Sequence, residues 1–229
     1  MKPKLRIVVK SLPDQIAESI AASVIRGELV PGASIREQLI ADTFQVSRAS
    51  VREALRILER DGVVEIRARH GARVTKLTEA EMVEIYQIRQ VLFGLTAGLF
   101  AQERSEADVA WLRDGLSQIK AIKEKTDETW ASHHGQLSAE MARRLIEQSG
   151  NQRLAQLLLQ MSMQIARYTI LGLSSPARRA QSVANWTRLI AAIAKQDSDT
   201  AEAAARHMVG HTLEFARKQL ASVSTGAKS

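Results

Sequence analysis

A chain of 229 residues, 45% of them hydrophobic and none cysteine, can bury one or two substantial cores but cannot carry a disulfide framework. Its 32 Lys and Arg against 25 Asp and Glu leave a formal charge of +7, which favours a polyanionic partner. No stretch approaches the ~18–20 apolar residues of a membrane span, and no apolar run follows the basic N-terminus to act as a signal peptide, so a soluble, cytoplasmic protein is expected.

In chain order, residues 1–10 are basic and without periodicity, and read as a flexible arm. Ser11-Leu12-Pro13-Asp14 starts a helix with a cap-like serine, an early proline and an acidic first turn, and Ile16, Ile20 and Val24 form its apolar face. Gly27 ends it, and Pro31-Gly32 marks a turn. Ser34 with Glu37 has capping-box spacing for a second short helix, roughly 35–43, presenting Ile35, Leu39 and Ile40 to the core. Ser47 caps a third helix whose Val51, Leu55 and Leu58 face inward. Its other side carries Arg48, Ser50 and Arg52 in the first turn. After Asp61-Gly62, β-branched residues flank a turn at His70-Gly71, which reads as a hairpin.

From Thr78 onward every stretch is helical: 78–103, 105–124, 127–149, 151–172, 175–196 and 199–221, with aliphatic stripes such as Leu154, Leu157, Leu158 and Met161 that read as core. The predicted fold is therefore mostly α. A winged helix-turn-helix of three helices and a β-hairpin wing occupies 11–75, an all-α antiparallel bundle occupies 78–222, and 223–229 form a disordered tail. Charge supports this division. Residues 1–75 hold 13 Lys and Arg against 9 Asp and Glu, whereas the twice-longer remainder holds 19 against 16. The first part is the more electropositive, as phosphate contact requires.

Three strings carry a resemblance: Gly27-Glu28-Leu29-Val30-Pro31-Gly32-Ala33-Ser34-Ile35-Arg36-Glu37, then Val46-Ser47-Arg48-Ala49-Ser50-Val51-Arg52-Glu53-Ala54-Leu55, then Asp61-Gly62-Val63-Val64 with Gly71. Over about residues 12–75 the chain resembles GntR-family transcriptional regulators of the FadR subgroup. More loosely, Ile88-Arg89-Gln90-Val91-Leu92, Ser149-Gly150-Asn151 and Met208-Val209-Gly210-His211 resemble that subgroup's helical effector domain, called FCD. The resemblance implies a homodimer on a two-fold DNA operator, controlled by a small metabolite in the bundle, and more often a repressor than an activator.

A recognition helix presents its first turn to the major groove, where arginine binds guanine O6 and N7. Arg48 and Arg52 are thus the expected base readers, with Ser47, Ala49 and Ser50 on the same face. Four residues exceed one helical turn, so Arg56 and Arg60 rotate away and read as a solvated face. Arg36 and Gln38 open the preceding helix and suit phosphate contact. His70 and Gly71 resemble the wing tip that enters the minor groove; a bare turn histidine is the competing account.

Many FCD domains bind a divalent metal through an Asp-x3-His pair and two later histidines, a spacing that points two ligands the same way. Here the resemblance places Ser138 and Ala142 at the paired positions and Trp186 at or beside the third. Only His211 suits the fourth. No cofactor is therefore expected, although His134, His207 and His211 form an alternative, non-standard metal set. An organic ligand bound directly is the favoured reading, with Arg89, His134, Ser138, Ala142, Tyr168, Trp186 and His211 lining its pocket. For Arg89 a structural salt bridge is an equal alternative. A carboxylate or an acyl-thioester suits this inventory.

An enzyme is disfavoured, because no Gly-rich phosphate loop and no spaced Ser/His/Asp set is present. An architectural DNA-binding protein without an effector remains as the alternative, and ligand-dependent release from DNA separates the two.

Overall fold

The computed structural model describes residues 10–68, 71–122, 129–173 and 175–226, apart from the side chains of 129, 171, 172 and 218–226. The expected arm, except Lys10, and the last three residues of the expected tail lie outside that set. The chain forms two compact units, Met1–Lys76 and Leu77–Ser229.

In the first unit, helix α1 spans Leu12–Arg26. Ser11 and Asp14 form a reciprocal capping box, and Gly27 closes the helix in the left-handed conformation at φ 84°. Ile16, Ala17, Ile20, Ala21 and Val24 are buried, at the helical spacing that turns one face onto α3. Helix α2 spans Glu37–Phe44 and α3 spans Arg48–Arg60, with Val51, Ala54, Leu55 and Leu58 buried.

The start of α2 differs from the sequence expectation. Ser34 caps nothing. With Ile35 it forms strand β1, pairing Ser34 with Arg73 and Ile35 with Ala72 of strand β3, which spans Gly71–Val74. Arg36 is the α2 N-cap and makes no side-chain capping bond. Strand β2, Val64–Arg67, pairs with the other edge of β3, so the wing is a three-stranded antiparallel sheet in the order β1-β3-β2. Backbone pairing by two residues, reinforced by Gly32 N–H donating to the Val74 carbonyl at 2.8 Å, outweighs one local cap. Ile35 is buried through the strand, whereas Leu39 is 60% exposed rather than part of the core.

Six helices make up the described part of the second unit: α4 Glu79–Glu103, α5 Glu106–Ala121, α6 Thr129–Glu147, α7 Gln152–Gly172, α8 Pro176–Ala194 and α9 Ser198–Gly226. Helix α9 continues four residues into the stretch expected as a tail. Capping boxes at Thr78/Glu81 and Ser105/Asp108 start α4 and α5, and the Asn151 and Asp197 carboxamide and carboxylate oxygens accept from Leu154 and Thr200 N–H at 3.0 Å each.

Helix α4 is the axis of the core, packing on α9, α7, α8 and α6. Small residues allow this: Gly94, Ala97, Gly98 and Ala101 on α4 and Ala201, Ala204 and Ala205 on α9 are buried. Ser198 at the start of α9 donates to the Gly98 carbonyl at 3.1 Å. A Cβ on Gly98 would lie 3.0 Å from Ser198 Oγ and 3.4 Å from its backbone oxygen, so the helices cannot accept bulk here. Gly98→Leu is expected to destabilise the protein by ~1–3 kcal/mol through overpacking, measurable by urea unfolding.

Candidate functional site

The first unit places one exposed polar face at the start of α3. Ser47 Oγ accepts from Ser50 N–H at 3.1 Å, and the two hydroxyls lie 2.9 Å apart, so both serines hold the helix start. Arg48, Ala49 and Arg52 are exposed around them. Arg48 and Arg52 both approach Glu37 of α2, at 3.6 and 3.9 Å, so this residue is an ion-pair partner rather than a cap. One carboxylate cannot neutralise two guanidinium groups, and exposed pairs of this kind are worth ~0–1 kcal/mol. The face keeps an excess positive charge that an anionic partner can draw upon.

Arg56 instead pairs with Glu53 at 2.7 Å and Arg60 with Asp61 at 3.6 Å. Arg36 is exposed at the α2 start, and Gln38 donates to Asp42 at 2.8 Å. Gly71 opens β3 at φ 73°, with nothing within 4 Å of an added Cβ; it is needed for its left-handed backbone, not for room. His70 lies outside the described residues.

The second unit gathers polar side chains inside its helices. Ser138 accepts from Trp186 Nε1 at 3.3 Å, joining α6 to α8. His134 Nε2 and Ser182 Oγ lie 3.0 Å apart. His211 of α9 approaches Asn185 Oδ1 at 3.3 Å. Arg89 of α4 donates to Ser162 of α7, and Tyr86 shares a 3.3 Å hydrogen bond with Thr169. Ala142, one turn beyond Ser138, packs against the apolar core.

Tyr168 accepts at its hydroxyl from Leu77 N–H at 3.3 Å, which ties the entry of α4 to α7. The metal set His134, His207 and His211 is not assembled: among the described residues no three His, Asp or Glu converge. His134 is engaged by Ser182, and the His207 and His211 rings pack edge to face at 4.0 Å.

Burial, with Arg178 and Arg179 nearby, lowers the His134 pKa from 6.5 to about 4. The neutral ring is therefore the folded form. Between pH 6.5 and 4 the unfolded chain binds a proton that the folded chain refuses, so stability present above pH 6.5 is lost as the pH falls toward 4. The loss is expected to reach up to ~3 kcal/mol. Urea unfolding at pH 7.5 and 4.5 would measure it, and His134→Gln should flatten the difference.

The residue that sequence reasoning missed is Arg178 of α8. It is 4% exposed, donates from Nη2 to Thr212 at 2.8 Å and lies over Phe215. Its Nε and Nη1 have no acceptor, and neither does Asn185 Nδ2. Arg104 and Arg144 also carry an unpaired Nε but face Glu106 and Asp108. Arg178 has no acidic partner among the described residues. A signal existed: Pro176-Ala177-Arg178-Arg179 sets two cations in a first helical turn, where the helix dipole favours anions.

A three-helix unit with a sheet wing and a basic recognition face, followed in the chain by a helical unit with a polar interior, defines a DNA-binding transcriptional regulator rather than an enzyme. Residues 12–74 match the family of bacterial regulatory proteins described as gntR, and residues 84–211 match the FCD domain. The chain belongs to the GntR family and carries an FCD domain. It is 30% identical over 198 residues to the uncharacterised HTH-type regulator YdhC of Bacillus subtilis, covering 86% of each chain. It is 32% identical over 122 residues to a protein named as a probable D-xylose utilization operon transcriptional repressor of Paenarthrobacter nicotinovorans, covering 53% of this chain and 54% of that one. The gluconate operon repressor of Bacillus subtilis is 37% identical over 78 residues, 34% of this chain and 32% of the relative. In fold, Escherichia coli McbR/YncC is similar with a TM-score of 0.78 at 18% identity, covering 93% of this chain and 100% of that one. Among the described residues no helix is long and apolar enough to cross a membrane.

Proposed function

We propose that this regulator is a cytoplasmic homodimer that binds a two-fold operator and is controlled by a small organic acid held in its helical domain without a metal ion. The unpaired, buried Arg178 carries the reading. One hydrogen bond to Thr212 and the Phe215 ring face offset part of its desolvation, and a bound anion would compensate the donors left over. An architectural DNA binder has no use for such a group, which sets that alternative behind.

On the DNA side, Arg48 and Arg52 read base edges, with Ser47, Ala49 and Ser50 fixing the helix start against the groove. Arg36 and Gln38 contact phosphate beside them. Gly71, with His70, approaches the minor groove at the wing. Dimerisation is supported by Ile88, Val91 and Leu95 of α4, which are 54%, 52% and 40% exposed. Their spacing puts them on one helix face, an apolar stripe suited to a second copy. Two relatives are named as operon repressors, and repression is the proposed sign.

The test is operator release. A panel of sugar acids, keto acids and dicarboxylates is added to the protein on its operator, and fluorescence anisotropy is followed. Release by an acid, absent for its neutral amide, supports the reading. Operator binding indifferent to every acid would favour the architectural alternative.

A further inference from the structure

We infer that Glu37 of α2 is a specificity-determining residue of the DNA interface: it holds Arg48 and Arg52 for neutral base edges and penalises their use on phosphate. The inference deepens the DNA side of the reading above and rests on it. Arg48 Nη2 and Arg52 Nη1 lie 3.6 and 3.9 Å from one and the same oxygen, Glu37 Oε2. The carboxylate is the more sheltered partner, with its side chain 28% exposed against 58% and 53% for the two arginines.

The local fold leaves this acid free for the task. Other acids at helix starts are spent on their own caps, as Asp14, Glu81 and Asp108 are. Pairing of Ser34 and Ile35 with β3 takes the serine away from α2, and the N-cap Arg36 makes no side-chain capping bond, so Glu37 opens α2 without a capping role. Helix α3 shows the complementary lack. Arg48 is its first residue, its first turn holds no acid, and a cation there opposes the helix dipole. A carboxylate from α2 supplies the charge that α3 does not.

What Glu37 does then follows from what each DNA group offers an arginine. Guanine O6 and N7 are neutral acceptors; they take one edge of the fork and leave the guanidinium charge uncompensated. The planar guanidinium carries donors on more than one edge, so it can grip a base while Glu37 faces it from behind, compensating the charge and orienting the fork. Phosphate is a charged competitor. An arginine drawn to it leaves Glu37, and the carboxylate then stands beside a polyanion without its cation. Base contact and Glu37 are thus compatible, whereas phosphate contact sets the same carboxylate against the DNA. Discrimination arises from this repulsive element as much as from the attractive one.

The experiment compares two probes on the full chain by fluorescence anisotropy across a salt series: a duplex recovered by selection from random DNA, and a scrambled duplex of the same length and composition. In Glu37→Gln, affinity for the scrambled duplex is expected to rise ~3–10-fold and its salt slope to steepen by about one, as an arginine is released to phosphate. Affinity for the selected duplex should not rise, so the ratio of the two falls by at least ~3-fold. Glu37→Asp keeps the charge on a side chain one methylene shorter and should restore the ratio only in part. In the Arg48→Ala/Arg52→Ala background, Glu37→Gln should change affinity for the scrambled duplex by less than ~2-fold, because the side chains through which it acts are gone. The melting temperature of Glu37→Gln should stay within ~2–4 °C of the parent's.

An unchanged ratio in Glu37→Gln, where the double alanine variant still loses the selected duplex, would overturn the role of Glu37 and leave base reading by the arginines intact. Gains of equal size on both duplexes that persist in the double alanine background would also overturn it, reducing Glu37 to a charge that repels any DNA. Selected-duplex affinity untouched by the double alanine change would remove base reading itself, and the inference with it.

Discussion

The double variant Arg48→Ala/Arg52→Ala is expected to lose ~2–6 kcal/mol of operator affinity, about 1–3 kcal/mol for each arginine that grips a base edge. Both side chains are more than half exposed, and their ion pairs with Glu37 are long, so folding stability should change by no more than ~0.5 kcal/mol. The two roles of an arginine are separable. A base reader relaxes sequence preference at one position, whereas a phosphate contact weakens all sequences alike and lowers the salt slope by about one. Anisotropy titrations of each single variant against operator and scrambled DNA, at several salt concentrations, would assign the roles. Arg56→Ala is the internal control, because that guanidinium is held by Glu53. Unchanged operator affinity in a folded double variant would remove α3 from the DNA interface.

The second large effect is expected at the apolar stripe of α4. Ile88→Asp/Val91→Asp should weaken self-association by ~100-fold or more, since each aspartate would have to be buried without a partner between two copies. In the separate monomer these positions are exposed, so the fold should survive. Sedimentation velocity reads the association, and circular dichroism reads the fold. Operator affinity should fall with dimer content, because a two-fold site loses one of its two half-site contacts. A variant that remains dimeric would move the interface elsewhere on the helical unit.

How far the chain could be read in advance depended on how local each determinant is. The third helix was legible because its signal lies within a dozen residues: Ser47 caps it and Val51, Leu55 and Leu58 repeat at helical spacing. The starts of α4 after Thr78 and of α5 after Ser105 were legible for the same reason. Ser34 misled, because Ser-x-x-Glu is a local signal that lost to non-local pairing of Ser34 and Ile35 with Arg73 and Ala72. Leu39 followed the same error. A strand of two residues has no periodicity to detect.

In the helical unit the resemblance sets Ser138, Ala142 and Trp186 where related domains carry metal ligands. Arg178 could not be ranked above the other arginines of this chain, since its importance comes from burial by the tertiary fold and from two donors that the fold leaves without acceptors. The Arg178-Arg179 pair in a first turn was visible, but a charge against the helix dipole acquires meaning only when the side chain is found inside.

The central claim is that this chain reads a two-fold DNA sequence. In vitro selection from random duplex DNA with the full-length protein tests it most directly. The account predicts enrichment of two inverted half-sites with G·C pairs at the positions facing Arg48 and Arg52, and loss of that preference in the double alanine variant. Recovery of no motif, together with binding that follows only the salt concentration, would contradict it.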